Sequence, residues 1–384
     1  MAHIFKHPKN QNKGIIIFSH KEWRAFSGNK LTRNLDRIPM LANRVDDSPR
    51  GFFRAVIEKI AKHYFIGVHF GGYQFRYQLD KSAFTTPYAD FVLSVESTLP
   101  NLDSGIHRIP LNCRNFIPAT FRDNQRQKQW DFVTVGRDVN FKNYPKLFES
   151  IKRVLSVDGN ASFLLIVPSQ IKMKAGAENS LVKLFSSTFS KTEQKQIAFL
   201  YLHPELDVGM NQNQLIKFYN LSKVFMLFST QIETRFFTYG EGDSRVISEA
   251  LCCGLPVVCS DSLKGGGKDF LNASNSVIFD DYEDSHLALL EARDKFSDGI
   301  KDAPEEITRE DFTLNQLKQY FSEFYASKNQ HFDGELINTD HLDVRIPSHY
   351  SHVPWSIDPL APTSDLLSKQ QFNLFMDELI LKTS

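Results

Sequence analysis

The chain has 384 residues with 45 Lys and Arg against 45 Asp and Glu, so its formal net charge is zero. This charge balance argues against a protein that coats duplex nucleic acid through a basic face, and 41% hydrophobic with 23% charged residues excludes a disordered or fibrous chain. No apolar run approaches the roughly 20 residues of a membrane span, and the first residues lack the apolar stretch of a signal peptide, which predicts a cytoplasmic chain.

Short apolar runs bounded by turn residues predict β-strands, and amphipathic segments between them predict helices. In the first third of the chain, strands are predicted at residues 14–19, 64–70, 91–95 and 106–110, with a helix at 51–63. After a polar stretch at 115–129, strands are predicted at 132–135, 163–167, 197–202, 224–228, 256–259 and 276–279. The remaining predicted helices are 144–155, 212–221, 285–296, 315–326 and 364–381.

Apolar strands that alternate with amphipathic helices are typical of parallel sheets covered on both faces. The alternation predicts an α/β fold of two Rossmann-like domains whose parallel sheets face a central cleft. Residues 1–115 are predicted to form the first domain and residues 116–330 the second, followed by a C-terminal extension at 331–384.

The four cysteines fit an intracellular chain. Cys113 stands alone, whereas Cys252, Cys253 and Cys259 lie in one apolar segment. No C-x-x-C pair with His partners occurs, so we predict no metal site and expect reduced, buried thiols.

Residues 241–269 contain the most informative pattern of the sequence. Gly242, Asp243 and Ser244 suit the start of a helix that runs from about residue 245 to 253 and leads into the buried strand at 256–259. The backbone N–H groups and the dipole at a helix start favour an anion. Glu241 and Glu249 are predicted to point to the same pocket mouth, where carboxylates suit sugar or ribose hydroxyls.

This stretch, Glu241-Gly242-Asp243-Ser244…Glu249-Ala250…Gly254-Leu255-Pro256-Val257-Val258, resembles the E-x7-E motif of the retaining GT-B glycosyltransferases (glycosyl transferases group 1, family 4-like). Val135-Gly136-Arg137…Lys142 resembles the G-R-x-x-x-x-K element of that group. Residues 224–229 look like the strand ending in Ser before the first Glu. Together with residues 88–95, 112–118 and 265–269, these matches follow the order expected of the group.

The resemblance implies roles for individual residues. Arg137 and Lys142 hold the donor diphosphate and stabilise charge on the leaving nucleotide, while Glu249 binds the ribose hydroxyls. Glu241 contacts the transferred sugar, and seven intervening residues favour it over Glu233 as the first Glu of the motif. The other implied donor-binding residues are Gly136, Gly242, Asp243, Ser244 and Arg245. His69 is a candidate near the reacting centre, with His20 as the second candidate, and no metal is implied.

The implied function is a metal-independent transfer of a sugar from a nucleotide-diphosphate sugar to a glycan or lipid-linked acceptor, with retention of anomeric configuration, as in polysaccharide biosynthesis. Two alternatives stay open. One is a nucleotide-sugar 2-epimerase of the GT-B fold, and the other is a non-catalytic GT-B module that binds glycans.

The neutral total hides an uneven distribution of charge. Residues 1–115 contain 17 basic and 9 acidic side chains, a net of +8, whereas 116–330 contain 25 and 28, a net of −3, and 331–384 contain 3 and 8, a net of −5. A basic first domain fits an anionic acceptor or peripheral contact with an anionic membrane surface. The alternative, which we favour, is that the acidic extension folds back across the first domain.

Overall fold

The structure, a computed structural model, describes residues 2–19, 60–69, 89–94, 106–110, 120–124, 127–168, 180–202, 212–233, 238–239, 244–263, 266–301, 303–304, 307 and 310–337. The chain divides into two compact units. The first contains Met1–Gly71, Phe75–Phe116 and Asp311–Ser384, and the second contains Gly72–Gln74 and Ile117–Glu310.

The first unit is built on a five-stranded sheet with the order β1-β2-β3-β4-β5. Its strands are β1 (Ala2–Lys6), β2 (Gly14–Ser19), β3 (Tyr64–His69), β4 (Phe91–Leu93) and β5 (His107–Ile109). The last four are parallel, and β1 pairs antiparallel with β2 at one edge. The described side chains of β2, β3 and β4 are all buried, as expected for parallel strands covered on both faces.

One face of this sheet is covered by the helix Glu310–Ser327, here α6. Its apolar side chains share a core with those of the strands, and Phe65 and Phe324 meet edge to face with ring centres 5.0 Å apart. The sequence assigns this helix to the second predicted domain because it follows that domain's last strand. The structure differs: the second unit ends at Glu310, and α6 packs on the sheet of the first unit.

The first described residues of the C-terminal extension also belong to the first unit. The side chain of Phe332 joins the core beneath α6. The amide of Ile337 donates to the carbonyl of Phe5 at 2.8 Å, and Asp333 forms an ion pair with the buried Lys6. Residues 331–337 therefore lie along β1, whereas the predicted helix at 364–381 is outside the described residues.

The second unit contains a six-stranded sheet in which every pair of neighbours is parallel. Its strands are β6 (Trp130–Val135), β7 (Phe163–Pro168), β8 (Ile197–Leu202), β9 (Ser222–Leu227), β12 (Val257–Ser260) and β13 (Ser276–Phe279). The order β13-β12-β9-β6-β7-β8 is that of a Rossmann fold. The α/β class with parallel sheets, predicted from the alternating pattern, is thus confirmed.

Four helices lie between these strands in the chain, and a fifth follows the last strand. They are α1 (Tyr144–Val157), α2 (Ser180–Thr188), α3 (Gln212–Asn220), α4 (Arg245–Cys252) and α5 (Ser285–Lys295). In α1 the buried side chains recur at three- and four-residue intervals, so one stripe faces the sheet. A two-stranded hairpin, β10 (Ile232–Glu233) and β11 (Thr238–Tyr239), lies in the segment between β9 and α4.

Among the described residues, no helix has the length and apolar character that a membrane span requires.

Candidate functional site

The order of the strands reverses beside β6 in the second unit. The chain passes from β6 to β7 and β8 on one side and then returns to β9 on the other side. In an open parallel sheet, such a reversal leaves a crevice at the carboxyl ends of the two strands, where ligands bind. Residues 136–142 follow β6 and residues 228–230 follow β9, so both loops border this position. The amide of Thr230 donates to the carbonyl of Phe141 at 2.8 Å and joins the two loops.

The loop after β6 fixes the position of a lysine side chain. A Cβ added to Gly136 would come within 3.2 Å of both Cδ and Cε of Lys142, so the aliphatic stem of this buried lysine lies directly over the glycine. The hydroxyl of Tyr144 donates to the carbonyl of Gly136 at 2.5 Å, and the Gly136 amide donates to Ile166 on β7 at 3.1 Å. These bonds hold the glycine, and the short 3₁₀ helix Asn140–Lys142 carries the lysine back over it.

A second cation lies in the same loop. Arg137 follows Gly136 and is exposed to solvent, whereas Lys142 is buried. The Nζ of Lys142 lies 5.8 Å from the ring centre of Phe141. A buried ammonium group with a fixed stem and an exposed guanidinium together suit a multiply charged anion such as a diphosphate. The loop therefore has the chemistry expected of an anion-binding element.

The start of α4 provides a further polar element. Ser244 is the N-cap residue of α4 and is buried, and its hydroxyl has no hydrogen-bond partner among the described residues. A Cβ on Gly267 would lie 3.1 Å from the Cβ and 3.2 Å from the backbone nitrogen of Ser244, so the glycine loop passes close to the helix start. Only glycine fits this approach without displacing its neighbours, which gives the predicted glycine-rich loop a packing role.

Glu249 lies one turn into α4 and is buried. Its Oε1 pairs with the Nε of Arg245 at 3.1 Å, and its Oε2 accepts a hydrogen bond from the hydroxyl of Tyr219 on α3 at 3.3 Å. Burial raises the pKa of Glu249, and the charge of Arg245 with these two contacts offsets part of that rise. The structure thus holds a buried carboxylate between a cation and a tyrosine hydroxyl.

Comparison with known proteins gives a family match for most of the second unit. Residues 117–299 match the family Glycosyl transferases group 1. This part of the chain, slightly less than half of it, is therefore similar to the glycosyl transferases of group 1. No curated protein matches the chain.

Two solved structures show the same fold as this chain. One is the pneumococcal O-GlcNAc transferase GtfA in complex with UDP and GlcNAc, with a TM-score of 0.50 and 13% identity over 72% of this chain and 55% of that one. The other is TarM, with a TM-score of 0.51 and 15% identity over 72% of this chain and 53% of TarM. The chain spans about half the length of these structures, and the likeness shows the GT-B fold.

Six of the predicted site residues lie in the described part of the group 1 domain, residues 117–299: Gly136, Arg137, Lys142, Ser244, Arg245 and Glu249. The structure brings Gly136 together with Lys142, and Arg245 with Glu249. Four other candidates are outside the described residues: Glu241, Gly242, Asp243 and His20. Glu233, the other candidate for the first Glu of the motif, is described only by its place in β10.

His69 is in the first unit, outside the group 1 domain. It is buried at the carboxyl end of β3, where it pairs in register with Ser19 of β2 and Leu93 of β4. A strand end is where a histidine of a parallel sheet reaches the ligand side. Its catalytic role stays a prediction.

The thiols of the group 1 domain are buried and reduced. Burial raises the pKa of Cys252 and of Cys259 to about 12, which leaves them protonated and unreactive at neutral pH. In the part of the chain that the structure describes, no cluster of three His, Cys, Asp or Glu side chains is placed to hold a metal ion.

Sequence reasoning missed two contributors to the group 1 site. Tyr219 lies in the predicted helix at 212–221, and most of a tyrosine side chain is apolar. Its sequence neighbours therefore do not distinguish it from an ordinary core residue. Thr230 acts through its backbone amide, which any residue but proline supplies. Neither residue has a local sequence signal, because each acts on a partner far along the chain.

Proposed function

We propose that this chain transfers a sugar from a nucleotide-diphosphate sugar to a glycan or lipid-linked acceptor, with retention of the anomeric configuration and without a metal. The observation that carries the proposal is the loop at residues 136–142. There Lys142 is held over Gly136, beside Arg137, at the point where the strand order of a group 1 domain reverses.

Departure of the nucleotide is the step that this loop serves. Negative charge grows on the diphosphate as the bond between the sugar and its phosphate oxygen breaks. Arg137 and Lys142 stabilise that charge, and because the stem of Lys142 is already ordered, little reorganisation is needed during the reaction. Retention is what the resemblance to the E-x7-E group implies, with the acceptor attacking the face from which the diphosphate departs.

The start of α4 and Glu249 complete the donor site. The helix N-terminus favours the negative diphosphate or the polar sugar, and the buried Ser244 hydroxyl gains a partner when either is bound. The Glu249 carboxylate accepts hydrogen bonds from the ribose hydroxyls. Since GtfA was solved with UDP and GlcNAc, UDP and UDP-sugars are the first donors to test.

For the first unit, we favour the view that the acidic extension at 331–384 neutralises part of its basic charge. The other view is that this charge stays available for contact with a membrane. Asp333 pairs with both Lys6 and Lys9, and Glu335 pairs with Lys9. These ion pairs support the view that part of the basic charge of the first unit is balanced within the chain. A cytoplasmic location and the absence of nucleic-acid partners stay predictions.

The proposal is tested in two stages. A thermal-shift screen of nucleoside diphosphates and their sugars identifies the donor, because a ligand that binds the folded state raises the melting temperature. The donor is then incubated alone and with glycan or lipid-linked acceptors, and NMR reports the anomeric configuration of the product. A sugar altered in the absence of acceptor favours the epimerase, and a donor that binds without reacting on any acceptor favours the glycan-binding module.

A further inference from the structure

Tyr219 occupies an unusual place for a tyrosine. It lies on α3, and its side chain is fully buried. Its ring packs edge to face against Phe225 of β9, with ring centres 5.8 Å apart, and at a tilt against Phe121, with ring centres 6.3 Å apart. These contacts fix the ring, so the hydroxyl has one orientation available, towards Oε2 of Glu249 at 3.3 Å.

Each oxygen of the Glu249 carboxylate has one polar contact, a hydrogen bond on Oε2 and an ion pair on Oε1. Tyr219 donates to Oε2, and the Nε of Arg245 lies 3.1 Å from Oε1. A carboxylate offers about four lone-pair directions in total. Each oxygen therefore keeps acceptor capacity for one further hydrogen bond, and the two oxygens together match the two adjacent hydroxyls of a ribose.

If the Glu249 carboxylate were rotated or protonated, its two oxygens would no longer match the two ribose hydroxyls. Desolvation disfavours the ionised form of Glu249, and Arg245 opposes that effect through its charge. The side chain of Arg245 is partly exposed, whereas that of Tyr219 is fully buried and its ring is held between aromatic neighbours. Of the two partners, Tyr219 is the one able to set the plane of the carboxylate.

We propose that Tyr219 is a positioning residue of the donor site, which orients Glu249 so that the carboxylate accepts hydrogen bonds from the two ribose hydroxyls of a nucleoside diphosphate. The inference rests on the proposed function, because it takes Glu249 as the ribose ligand. Tyr219 itself does not contact the donor. Its effect is on the discrimination between ribose and deoxyribose.

The experiment compares paired nucleotides by calorimetry on the full chain. UDP, ADP, GDP and CDP are each measured beside the 2′-deoxy form, and the ribonucleotide that binds tightest is used with its deoxy partner. Wild type is expected to bind the ribonucleotide about tenfold more tightly. Tyr219→Phe, which keeps the ring and its packing, is expected to reduce this ratio to about twofold by weakening the ribonucleotide alone.

Tyr325→Phe is the matched control. Tyr325 is also fully buried, and its hydroxyl donates to the carbonyl of Lys13 at 2.6 Å in the first unit, so this variant should keep the wild-type ratio. An equal loss of affinity for both nucleotides in Tyr219→Phe, or an unchanged ratio, overturns the inference and leaves the proposed function intact. If wild type itself does not prefer ribose with any of the four bases, the assignment of Glu249 to the ribose fails, and this inference fails with it.

Discussion

The side chain of Lys142 lies over Gly136, with Cδ and Cε each 3.2 Å from the position of a Cβ at that glycine. Two residues that are six positions apart thus form one contact, and the contact orders the lysine stem. An ordered stem costs less conformational entropy when the ammonium group meets an anion. The glycine is therefore part of the proposed anion site, although it contributes no side chain.

The first prediction concerns this contact. Gly136→Ala should displace Lys142 by a few tenths of an ångström and weaken the binding of UDP, or of the donor nucleotide found by screening, by about tenfold. Gly159→Ala is the control, because a Cβ there meets only the Leu155 carbonyl at 3.8 Å. Calorimetric affinities of the two variants decide the matter: equal affinities would mean that the position of Lys142 is unimportant.

The second prediction concerns the charges of the loop. Lys142→Met keeps an unbranched stem over Gly136 but removes the ammonium, and combined with Arg137→Ala it should lower the rate of donor turnover by at least about 100-fold. The melting temperature should stay close to that of wild type, because neither substitution opens the core. Lys146→Met, at a partly exposed lysine of α1, should leave turnover unchanged. A double variant with near-normal turnover would contradict the assignment.

The parallel strands could be predicted from sequence because buried strands leave local apolar runs such as 163–167, and the sequence predicts most of their helices as well, although not α2. The sheet on which a helix packs could not be predicted in this way. The pattern of α6 shows an apolar face that includes Phe321 and Phe324, but no local signal tells which sheet that face covers. Assignment by adjacency placed it in the second domain, whereas burial against Phe65 and Phe91 places it in the first unit.

The candidate site divides in the same way. Arg137, Lys142 and Glu249 belong to patterns with fixed spacing, so the sequence predicts them as site residues. The hydrogen bond between Tyr219 and Glu249 joins residues that are 30 positions apart on different helices, and only tertiary packing brings them together. The strand β1 was missed for a different reason, since an edge strand of five residues with Lys6 at its end has no continuous apolar run.

The third prediction is a pH dependence of nucleotide binding. Burial raises the pKa of Glu249, so its ionised fraction grows as the pH increases through that raised value. If the ionised carboxylate accepts the ribose hydroxyls, UDP affinity should increase as the pH rises above the ordinary carboxyl pKa, and Glu249→Gln should gain less over the same range. The diphosphate of UDP also titrates, but it does so equally in the experiments with wild type and with Glu249→Gln, so it does not affect the comparison. An equal gain in both would mean that Glu249 does not titrate against the ligand.

The fourth prediction concerns Asp131, which ties three strands together at the opposite end of the second sheet. It accepts hydrogen bonds from the Ser162 amide and hydroxyl at 2.9 and 3.0 Å and pairs with Lys223 at 2.8 Å. Burial alone would raise the pKa of Asp131, but Lys223 and Ser162 outweigh burial and lower it. Its stabilising contribution is therefore present above the ordinary carboxyl pKa and is lost as the pH falls through the lowered value.

Asp131→Asn should accordingly reduce the free energy of unfolding by about 1–3 kcal/mol at about pH 7. Urea denaturation at decreasing pH should show the difference from wild type shrinking as the wild-type carboxylate becomes protonated. A difference that stays constant down to about pH 3 would assign the effect to packing and not to charge.

The fifth prediction concerns the ion pair between Lys6 and Asp333, which attaches the extension to the edge of the first sheet. Lys6 is buried, so Asp333→Ala leaves an ammonium group in the protein without this counter-ion and should cost about 3 kcal/mol in urea denaturation. Adding Lys6→Met should recover most of that loss, because a buried ion pair replaced by apolar groups is often neutral. Glu335→Ala is the control, since Glu335 and its partner Lys9 are exposed and such pairs contribute at most about 1 kcal/mol.

The same ion pair also has a pH dependence. Burial alone would raise the pKa of Asp333, but the hydrogen bond from Lys6 and the nearby charges lower it. The stability that Asp333 provides is therefore full above the ordinary carboxyl pKa and is lost as the pH falls through its lowered value. Asp333→Ala should differ least from wild type in acid. If the Lys6→Met, Asp333→Ala double variant were as unstable as Asp333→Ala alone, the loss would come from the displaced extension and not from the buried charge.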